Sequence, residues 1–298
     1  MLDHENASEQ RPARVVVVGS ASFVGGAILE RLGRDGVRVL ALARADIDLR
    51  ESNASERLAG LLTSTDAVVA VAAVAPCTTA DKLVENMIIA RNIAAALASA
   101  PVAHVINISS DAVYADSDEP LTESSAAAPS SIHGAMHIAR EIVFRSAVAG
   151  PLTMLRPTLI YGARDPHNGY GPNRFVRLAK AGKPIVLFGD GEERRDHVFI
   201  DDVAELTVRA LYRRSAGELN IVAGAVHSFR EIAEQVSGMA PTPIDIQCVP
   251  RSGPMPHNGY RPFDASGIER AFPEVRMTPL DVGLRRLWGG TSRSAHRG

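Results

Sequence analysis

The sequence lacks several features that would assign it to a specialised class of protein. Its 298 residues include only two cysteines, Cys77 and Cys248, so a disulfide framework is excluded and a reducing cytoplasm is the expected compartment. The 32 basic and 34 acidic residues nearly cancel, which leaves no strong field to attract nucleic acid or an anionic membrane. The expected partner is therefore a small molecule.

Long hydrophobic runs are also missing. The most apolar stretch, residues 67–76, is far shorter than the roughly 20 residues that a membrane-spanning helix needs. Residues 1–11 contain no apolar segment of the kind found in secretory signals, and we expect them, like residues 291–298, to form a solvated tail. Hydrophobic residues still make up 46% of the chain, enough to bury a substantial core.

Apolar strands alternate with helices through the first half of the chain. Strands are predicted at 14–18, 37–43, 67–74, 102–108 and 152–160, and helices at 24–32, 82–98 and 133–148. Strands that are apolar on both faces and alternate with helices are typical of a parallel sheet covered on each side. The sequence therefore predicts an α/β fold with a doubly wound parallel sheet.

A second region begins near residue 165, where glycine, proline and asparagine become frequent. Short strands are predicted at 185–188 and 197–200, and helices at 203–212, 228–236 and 278–288. We expect a dinucleotide-binding domain formed by residues 12–164 with 196–225. A smaller, substrate-binding lobe would be formed by residues 165–195 with 226–290.

Residues 19–25, GSASFVG, lie between the first strand and the first helix, which is the context of a dinucleotide-binding turn. Gly19 can adopt the tight turn, and Gly25 lets the helix pack close to the strand. The unpaired N–H groups of the helix N-terminus would hold a pyrophosphate. Ser22 stands at the middle position, where its hydroxyl could donate to a phosphate. The alternative is an ordinary strand-to-helix turn.

The segment after the second strand, residues 43–49 (ARADIDL), bears on the choice of cofactor. An acid there bonds the ribose 2′-hydroxyl of NAD, whereas an arginine accommodates the 2′-phosphate of NADP. Arg44 favours NADP, with NAD as the alternative, because Arg44 could be a solvated arginine and Asp46 could compete for the ribose. The segment resembles that of NADP-using sugar reductases, which implies that Asp48 and Leu49 lie against the adenine.

Five further segments match, in order, the pattern of one enzyme family. They are VAAV (71–74), the helix residues 86–92, ISSDAVY (108–114), LRPTLIYG (155–162), and FGDG with RDHVFIDDV (188–191 and 195–203). Over residues 14–290 the chain resembles the NAD-dependent epimerase/dehydratase family, the extended short-chain dehydrogenases. The resemblance implies hydride transfer between a sugar carbon and a nicotinamide, with a nucleoside diphosphate sugar as the partner.

His133 and His137 stand where this family has a catalytic tyrosine and a lysine. In one interpretation, neutral His133 accepts the proton and protonated His137 replaces the lysine. In a second, the two histidines are structural residues on one helix face, with their hydrogen-bonding groups paired, in a catalytically silent dinucleotide sensor or scaffold. In a third, the two rings, four residues apart, ligate a metal. No third ligand stands at a suggestive spacing, so we expect no metal.

The segment ISSDAVY (108–114) adds two candidate site residues. The resemblance assigns Ser110 to a hydrogen bond with the sugar oxygen, and capping of a strand end is the alternative. Asp111 is followed by Ala112, where dehydratases of the family have a glutamate as base. An epimerase or a keto-sugar reductase therefore fits better than a 4,6-dehydratase. Alternatively, Asp111 orients His133 and raises its pKa.

The glycine turn, the segment after the second strand and the resemblance together give the candidate site residues. The catalytic residues are Ser110, Asp111, His133 and His137. The cofactor-binding residues are Gly19, Ser22, Phe23, Val24, Gly25, Arg44, Asp48, Leu49, Ala72, Ala73, His137 and Pro157. Arg195 has the position of a diphosphate contact, and Asn173 and Arg261 are further substrate-binding candidates. The resemblance also implies a homodimer that forms through the helices at 82–98 and 133–148.

Overall fold

The computed structural model describes residues 2–290, and the tail predicted at 291–298 lies outside them. The strands of this part are β1 Asp3–His4, β2 Arg14–Val18, β3 Val39–Leu42, β4 Asp66–Ala70, β5 His104–Ile108, β6 Leu152–Pro157, β7 Leu159–Tyr161, β8 Ile185–Phe188, β9 Arg194–Phe199, β10 Ser215–Ile221, β11 Val226–Ser228, β12 Ile246–Val249 and β13 Tyr260–Arg261. The helices are α1 Phe23–Arg34, α2 Ala54–Ala59, α3 Ala80–Ser99, α4 Ile132–Ala147, α5 Pro172–Lys180, α6 Ile200–Tyr212, α7 Phe229–Met239, α8 Ser266–Ala271 and α9 Leu280–Gly290. A short 3₁₀ helix, Asp111–Val113, lies between β5 and α4.

The described residues form one seven-stranded sheet in the order β1-β10-β6-β5-β4-β2-β3. All neighbouring strands are parallel except β1, which is antiparallel to β10 at the edge. The chain passes from β2 outward to β3 and returns to β4 on the other side of β2. The carboxyl ends of β2 and β4 therefore form the topological switch point where ligands bind in such sheets. This topology confirms the predicted doubly wound α/β fold.

Both faces of the sheet are buried because alternate residues of the central strands enter two separate cores. Val15 and Val17 of β2 belong to the core that includes α1 and α6. Val16 and Val18 belong to the core that includes α2, α3 and Phe144 of α4. Successive side chains of a strand point to opposite faces, which is why these strands are apolar throughout.

The N-terminal segment differs from the expected solvated tail. Leu2 is buried, and β1 pairs with β10. The imidazole of His4 lies 2.8 Å from the hydroxyl of Ser215 and 2.9 Å from the carbonyl oxygen of Ala271. The prediction of a tail is therefore wrong for residues 2–4. The partner strand β10 was missing from the predicted strands because its sequence, SAGELNI, mixes polar residues and glycine with few apolar ones.

The strand predicted at 152–160 is divided in two at Thr158. The Thr158 hydroxyl donates to the Asp196 carboxylate at 2.6 Å, and its N–H donates to the carbonyl of Ile221 at 3.1 Å. Strand β6 stays in the central sheet, whereas β7 pairs with β9. The chain thus leaves the central sheet at Thr158 and enters a second, smaller sheet.

That smaller sheet joins β11, β9 and β13, with β7 also paired to β9, and β8 pairs with β12. Helices α5 and α7 pack together beside it. The sequence had assigned the start of α5 to loops, although Pro172 occupies its first turn, where a proline is tolerated. Residues of α5 and α7 share one core with β2 and α1. The division into two lobes stays a prediction.

Candidate active site

A cavity of about 220 Å³ lies at the carboxyl ends of β2, β3 and β4, at the switch point of the sheet. Gly19 forms its floor with a backbone φ of +94°, a conformation that L side chains rarely adopt. A Cβ atom on Gly19 would lie 2.5 Å from the amide nitrogen of Ala72, and one on Gly25 would lie 2.4 Å from the carbonyl oxygen of Gly19. The turn needs glycine at both places.

Ser22 caps helix α1 at the mouth of this cavity. Its Oγ accepts a hydrogen bond from the N–H of Gly25 at 3.0 Å and donates to the carbonyl of Gly19 at 2.8 Å. The sequence suggested that this hydroxyl donates to a phosphate. In the structure its hydrogen is used within the turn instead, so the helix N–H groups are left as the donors for an anion.

Charged side chains surround the other end of the cavity. Arg44 is 72% exposed and lies 3.3 Å from the carboxylate of Asp48. Asp48 is also bonded by Arg50, which in turn pairs with Glu85 at 2.9 Å. One carboxylate oxygen of Asp46, the residue suggested as a competitor for a ribose, accepts a hydrogen bond from the N–H of Ala43 at 2.8 Å.

Most of the residues expected at a cofactor line this cavity. Those that do are Gly19, Ser22, Arg44, Asp48, Leu49, Ala72 and Ala73. Phe23 and Val24 pack partly buried against the hydrophobic core, Gly25 lies inside the turn, and Pro157 is buried at the end of β6. His137 is buried in α4, away from the lining of the cavity.

Helix α4, which carries both histidines, lies close to the 3₁₀ helix that follows Ser110 at the end of β5. Gly134 lies so near the 3₁₀ helix that a Cβ there would be 2.0 Å from the carbonyl oxygen of Ala112. Ser131 caps α4 by accepting a hydrogen bond from the Gly134 N–H at 3.1 Å. At the start of the 3₁₀ helix, Ser110 accepts from the Ala112 N–H at 3.2 Å and donates to Asp111 at 3.3 Å. These contacts place Ser110, Asp111 and the first turn of α4 together.

The two imidazoles contact each other edge to face, with ring centroids 4.7 Å apart. The N–H of Cys77 donates to Nδ1 of His133 at 3.4 Å, so the loop 71–77 connects the cavity to this ring. Burial lowers the pKa of His133, and the nearby Asp111 carboxylate opposes this only in part. Asp111 therefore acts in the predicted direction but does not give His133 a raised pKa.

His137 is the more buried of the pair. Burial, the charge of Arg140 and the neighbouring His133 together hold its pKa well below the usual value. His137 is therefore neutral at pH 7. This contradicts the interpretation in which a protonated His137 replaces the lysine. Its Nδ1 is buried without a hydrogen-bond partner among the described residues.

Helix α4 is fixed to the sheet through Glu141, which is fully buried. Its carboxylate accepts two hydrogen bonds from Arg156, at 2.9 and 2.6 Å, and one from the Ser109 hydroxyl at 2.7 Å. Arg156 also donates to the hydroxyl of Tyr114 at 2.8 Å. The carboxylate thus ties α4 to β5 and β6 and sets where the histidines lie.

An arginine cluster lies on the other side of Asp111. Arg261, only 1% exposed, donates to the Asp111 carboxylate at 3.2 Å and to Asp116 at 2.9 Å. Arg195 lies 4.0 Å from Asp111 and 3.4 Å from Glu193. Two of the three predicted substrate residues therefore meet at the aspartate that follows Ser110. Asp116 and Glu193 are not predicted from the sequence, because the fold alone brings them to these arginines.

The third predicted substrate residue, Asn173, lies in the first turn of α5 and is bonded to the loop that precedes this helix. Its side chain accepts from the N–H of Gly162 at 3.1 Å and donates to Asp165 at 2.6 Å. Among residues 2–290, no group of three or more His, Cys, Asp or Glu side chains is arranged to hold a metal. In the same part of the chain, no helix has the length and apolar character to cross a bilayer.

Comparison with known proteins places this geometry in a family. A model described as the NAD dependent epimerase/dehydratase family matches residues 15–223. The chain belongs to this family. It is 28% identical over 269 residues to a UDP-glucose 4-epimerase of Mycolicibacterium smegmatis, covering 80% of this chain and 86% of that protein. It is 26% identical over 203 residues to a dTDP-glucose 4,6-dehydratase of Neisseria gonorrhoeae, covering 60% and 57%.

Solved structures agree on the fold. A UDP-glucose 4-epimerase of Thermus thermophilus in complex with NAD has a TM-score of 0.81 at 24% identity, over 95% of this chain and 99% of that one. A UDP-glucose 4-epimerase of Thermotoga maritima with UDP-glucose has a TM-score of 0.82 at 20% identity, over 94% and 98%. The family predicted from the sequence segments is therefore confirmed.

Proposed function

We propose that this protein is an NAD(P)-dependent nucleotide-sugar epimerase or keto-sugar reductase. The observation that carries the proposal is the arrangement of three groups around Asp111. The loop 71–77 leads from the glycine-turn cavity to His133, Ser110 is adjacent to Asp111 in the chain, and Arg195 and Arg261 both approach its carboxylate. Cofactor, proton acceptor and substrate clamp would thus meet at one edge of the sheet.

The cavity suits a dinucleotide for a reason visible in its floor. Gly19 lines the cavity with its backbone alone, and the N-terminus of α1 at Ser22 faces the same place. When bound there, a nicotinamide dinucleotide would supply a hydride acceptor and donor. We favour NADP over NAD because the exposed guanidinium of Arg44 stands at the rim, where it could bond a 2′-phosphate.

His133 is the proposed proton acceptor. An epimerase first removes the proton of a sugar hydroxyl while hydride leaves the carbon, and it later returns both, so its acid-base group begins unprotonated. A reductase needs that group protonated at the start. The lowered pKa of His133 leaves its ring neutral at rest, which favours epimerisation. In that state the Cys77 N–H contacts Nδ1, so Nδ1 can take a proton only when this long hydrogen bond opens.

Ser110 is proposed to hydrogen-bond the reacting sugar oxygen, and Arg195 and Arg261 to bind the diphosphate. Both arginines are buried, and in this structure each is paired with a carboxylate. A diphosphate offers stronger, bidentate acceptors for the same guanidinium groups. Ala112 supplies no carboxylate beside Asp111, which argues against a 4,6-dehydratase.

A panel of UDP-, dTDP- and GDP-sugars incubated with the protein and each dinucleotide tests the function, with cofactor absorbance and product NMR as readouts. Turnover that is lost in His133→Ala and kept in His167→Ala, an exposed histidine, supports the proposal. The alternative function is a catalytically silent dinucleotide sensor, which the absence of a tyrosine and a lysine at 133 and 137 favours. Dinucleotide binding without turnover of any sugar would support the sensor.

The cofactor preference has its own test in Arg44→Ala. Loss of a charge-assisted hydrogen bond to a phosphate is worth about 1.5–3 kcal/mol, so NADP affinity should fall about 10- to 100-fold while NAD affinity stays the same. The ion pair with Asp48 is exposed, so its loss should leave the stability nearly unchanged. Equal affinities for NADP before and after the change would rule out this role of Arg44.

We also propose a homodimer through α3 and α4. Val84 of α3 and Ile142 of α4 are 59% and 60% exposed, unusual for such residues on helices that pack together. Ile142→Glu should convert a dimer to a monomer in light scattering after gel filtration. A wild-type monomer at high concentration would contradict the proposal.

A further inference from the structure

Helix α4 carries a third charged or titratable residue on the same face as its two histidines. His133, His137 and Arg140 are spaced by four and three residues, which brings them onto one stripe of a helix. The stripe runs from the partly exposed His133 inward to Arg140, which is 0% exposed. Neither the sequence motifs nor the proposed function assigns any role to Arg140.

The guanidinium of Arg140 has neutral partners only. One nitrogen donates to the carbonyl oxygen of Ala72 at 2.5 Å, and another donates to the side-chain oxygen of Asn107 at 3.1 Å. Its Nε is buried without a partner, and no carboxylate among residues 2–290 forms an ion pair with it. The next residue, Glu141, shows the usual arrangement, since its buried charge is matched by Arg156.

A buried cation without a counter-ion is costly, so its presence needs an explanation. Burial lowers the pKa of Arg140 to about 10, which still leaves the side chain charged at neutral pH. Its charge is one of the causes that lower the pKa of His137. The other charged or titratable groups around the pair are Asp111 on the 3₁₀ helix and Cys77 before α3, with Lys82 close to the Cys77 thiol.

The bonds of Arg140 also reach the dinucleotide cavity. The Ala72 peptide lies between Arg140, which its carbonyl contacts, and the end of β2, where its N–H donates to the carbonyl of Val18 at 2.9 Å. Ala72 and Ala73 line the cavity, and a side chain on Gly19 would collide with Ala72. Arg140 therefore supports the wall of the cavity from behind while facing the imidazoles.

We propose that Arg140 is a positioning residue of this site: a fixed internal cation that keeps His137 unprotonated and anchors the Ala72 carbonyl at the cavity wall. Its significance rests on the proposed function, because a neutral His137 places no like charge beside His133, the proposed proton acceptor, whose ring it contacts. Arg140 differs from a lysine at position 137 in two respects. Its positive charge lies one helical turn deeper, and it reaches the cavity only through the Ala72 peptide.

NMR titration of the imidazole signals tests this in the full-length protein without substrate, so the result does not depend on catalysis. Arg140→Gln removes the charge and keeps an N–H donor for the Ala72 carbonyl. The titration midpoint of His137 should rise by about one pH unit, and that of His133 should change little. Arg140→Lys should keep the wild-type midpoints. Arg91→Gln, which removes an exposed charge from the neighbouring helix α3, is the control.

Unchanged midpoints in a folded Arg140→Gln protein would overturn the inference. If that variant does not fold, the wild type still decides, because a His137 that titrates at or above about pH 6.5 is incompatible with a neighbouring fixed cation. The wall contact is checked separately by calorimetry, where Arg140→Met, which removes every donor to the Ala72 carbonyl, should weaken dinucleotide binding more than Arg140→Gln does. If no nucleotide sugar is turned over but the titration midpoints shift as expected, the proposed function is wrong and the inference about Arg140 is still supported.

Discussion

Acidification is expected to destabilise the protein through His104, a histidine of β5 that is only 2% exposed. Its Nε2 lies 2.7 Å from the carbonyl oxygen of Ser215, so this nitrogen carries the hydrogen of the neutral ring. Nδ1 is buried and has no partner in the described part of the chain. A second proton would leave an N–H without an acceptor in the core, and burial lowers the pKa of His104 to about 4.

The unfolded chain binds this proton more readily than the folded protein, because the ordinary pKa of the ring is 6.5. The stabilising contribution is therefore fully present above about pH 6.5 and is lost as the pH falls through about 4. For one site with these two pKa values, moving from about pH 7 to about pH 5 lowers the free energy of unfolding by about 2 kcal/mol.

Urea unfolding at these two pH values measures the effect in the wild type and in His104→Gln. Glutamine keeps an N–H donor for the Ser215 carbonyl but does not titrate, so the variant should lose about 2 kcal/mol less on acidification. His167→Gln changes an exposed histidine and should behave as the wild type. Equal losses in the wild type and His104→Gln would refute the assignment of the effect to this ring.

Three other substitutions probe the site through its supports. Gly19→Ala should abolish dinucleotide binding in calorimetry, because the left-handed backbone disfavours alanine by about 1–2 kcal/mol and the new methyl group would collide with Ala72. Retained affinity would contradict the assignment of this cavity to a dinucleotide. Glu141→Gln leaves Arg156 without its buried counter-charge and should cost about 3–5 kcal/mol in urea unfolding, whereas a loss below about 1 kcal/mol would show that the pair is dispensable. Gly134→Ala should lower stability and sugar turnover together, since a Cβ there would lie 2.0 Å from a backbone oxygen of the 3₁₀ helix; unchanged turnover would show that this close packing is not required.

The sequence predicted those parts of the fold whose signal is local. Strand β2 and the glycine turn were predictable because a β-branched run ends at Gly19, and the turn chemistry needs no distant partner. Strand β10 was not predicted, although it belongs to the central sheet, because its burial comes from β6 beside it and not from its own composition. The division of the strand near Thr158 depends likewise on a distant carboxylate, Asp196.

The candidate site follows the same pattern. The pairing of Ser110 with His133 could be expected from motif order, and the structure brings their segments together through Gly134. The protonation state of His137 could not be predicted, because it depends on burial and on Arg140. The spacing of Arg140 from His133 did contain a usable signal, since seven residues span two helical turns and an arginine on an otherwise inward-facing stripe is unusual.

The two-residue strand β1 has a practical consequence for anyone handling this protein. It covers the outer edge of β10, and an uncovered sheet edge is a template for strand addition from another molecule. Shortening the gene so that the chain begins at Pro12 would remove that cover, together with the bonds of His4 to Ser215 and Ala271. Preparations made this way are expected to form larger assemblies on storage, so purification tags are better separated from Leu2 by a flexible spacer.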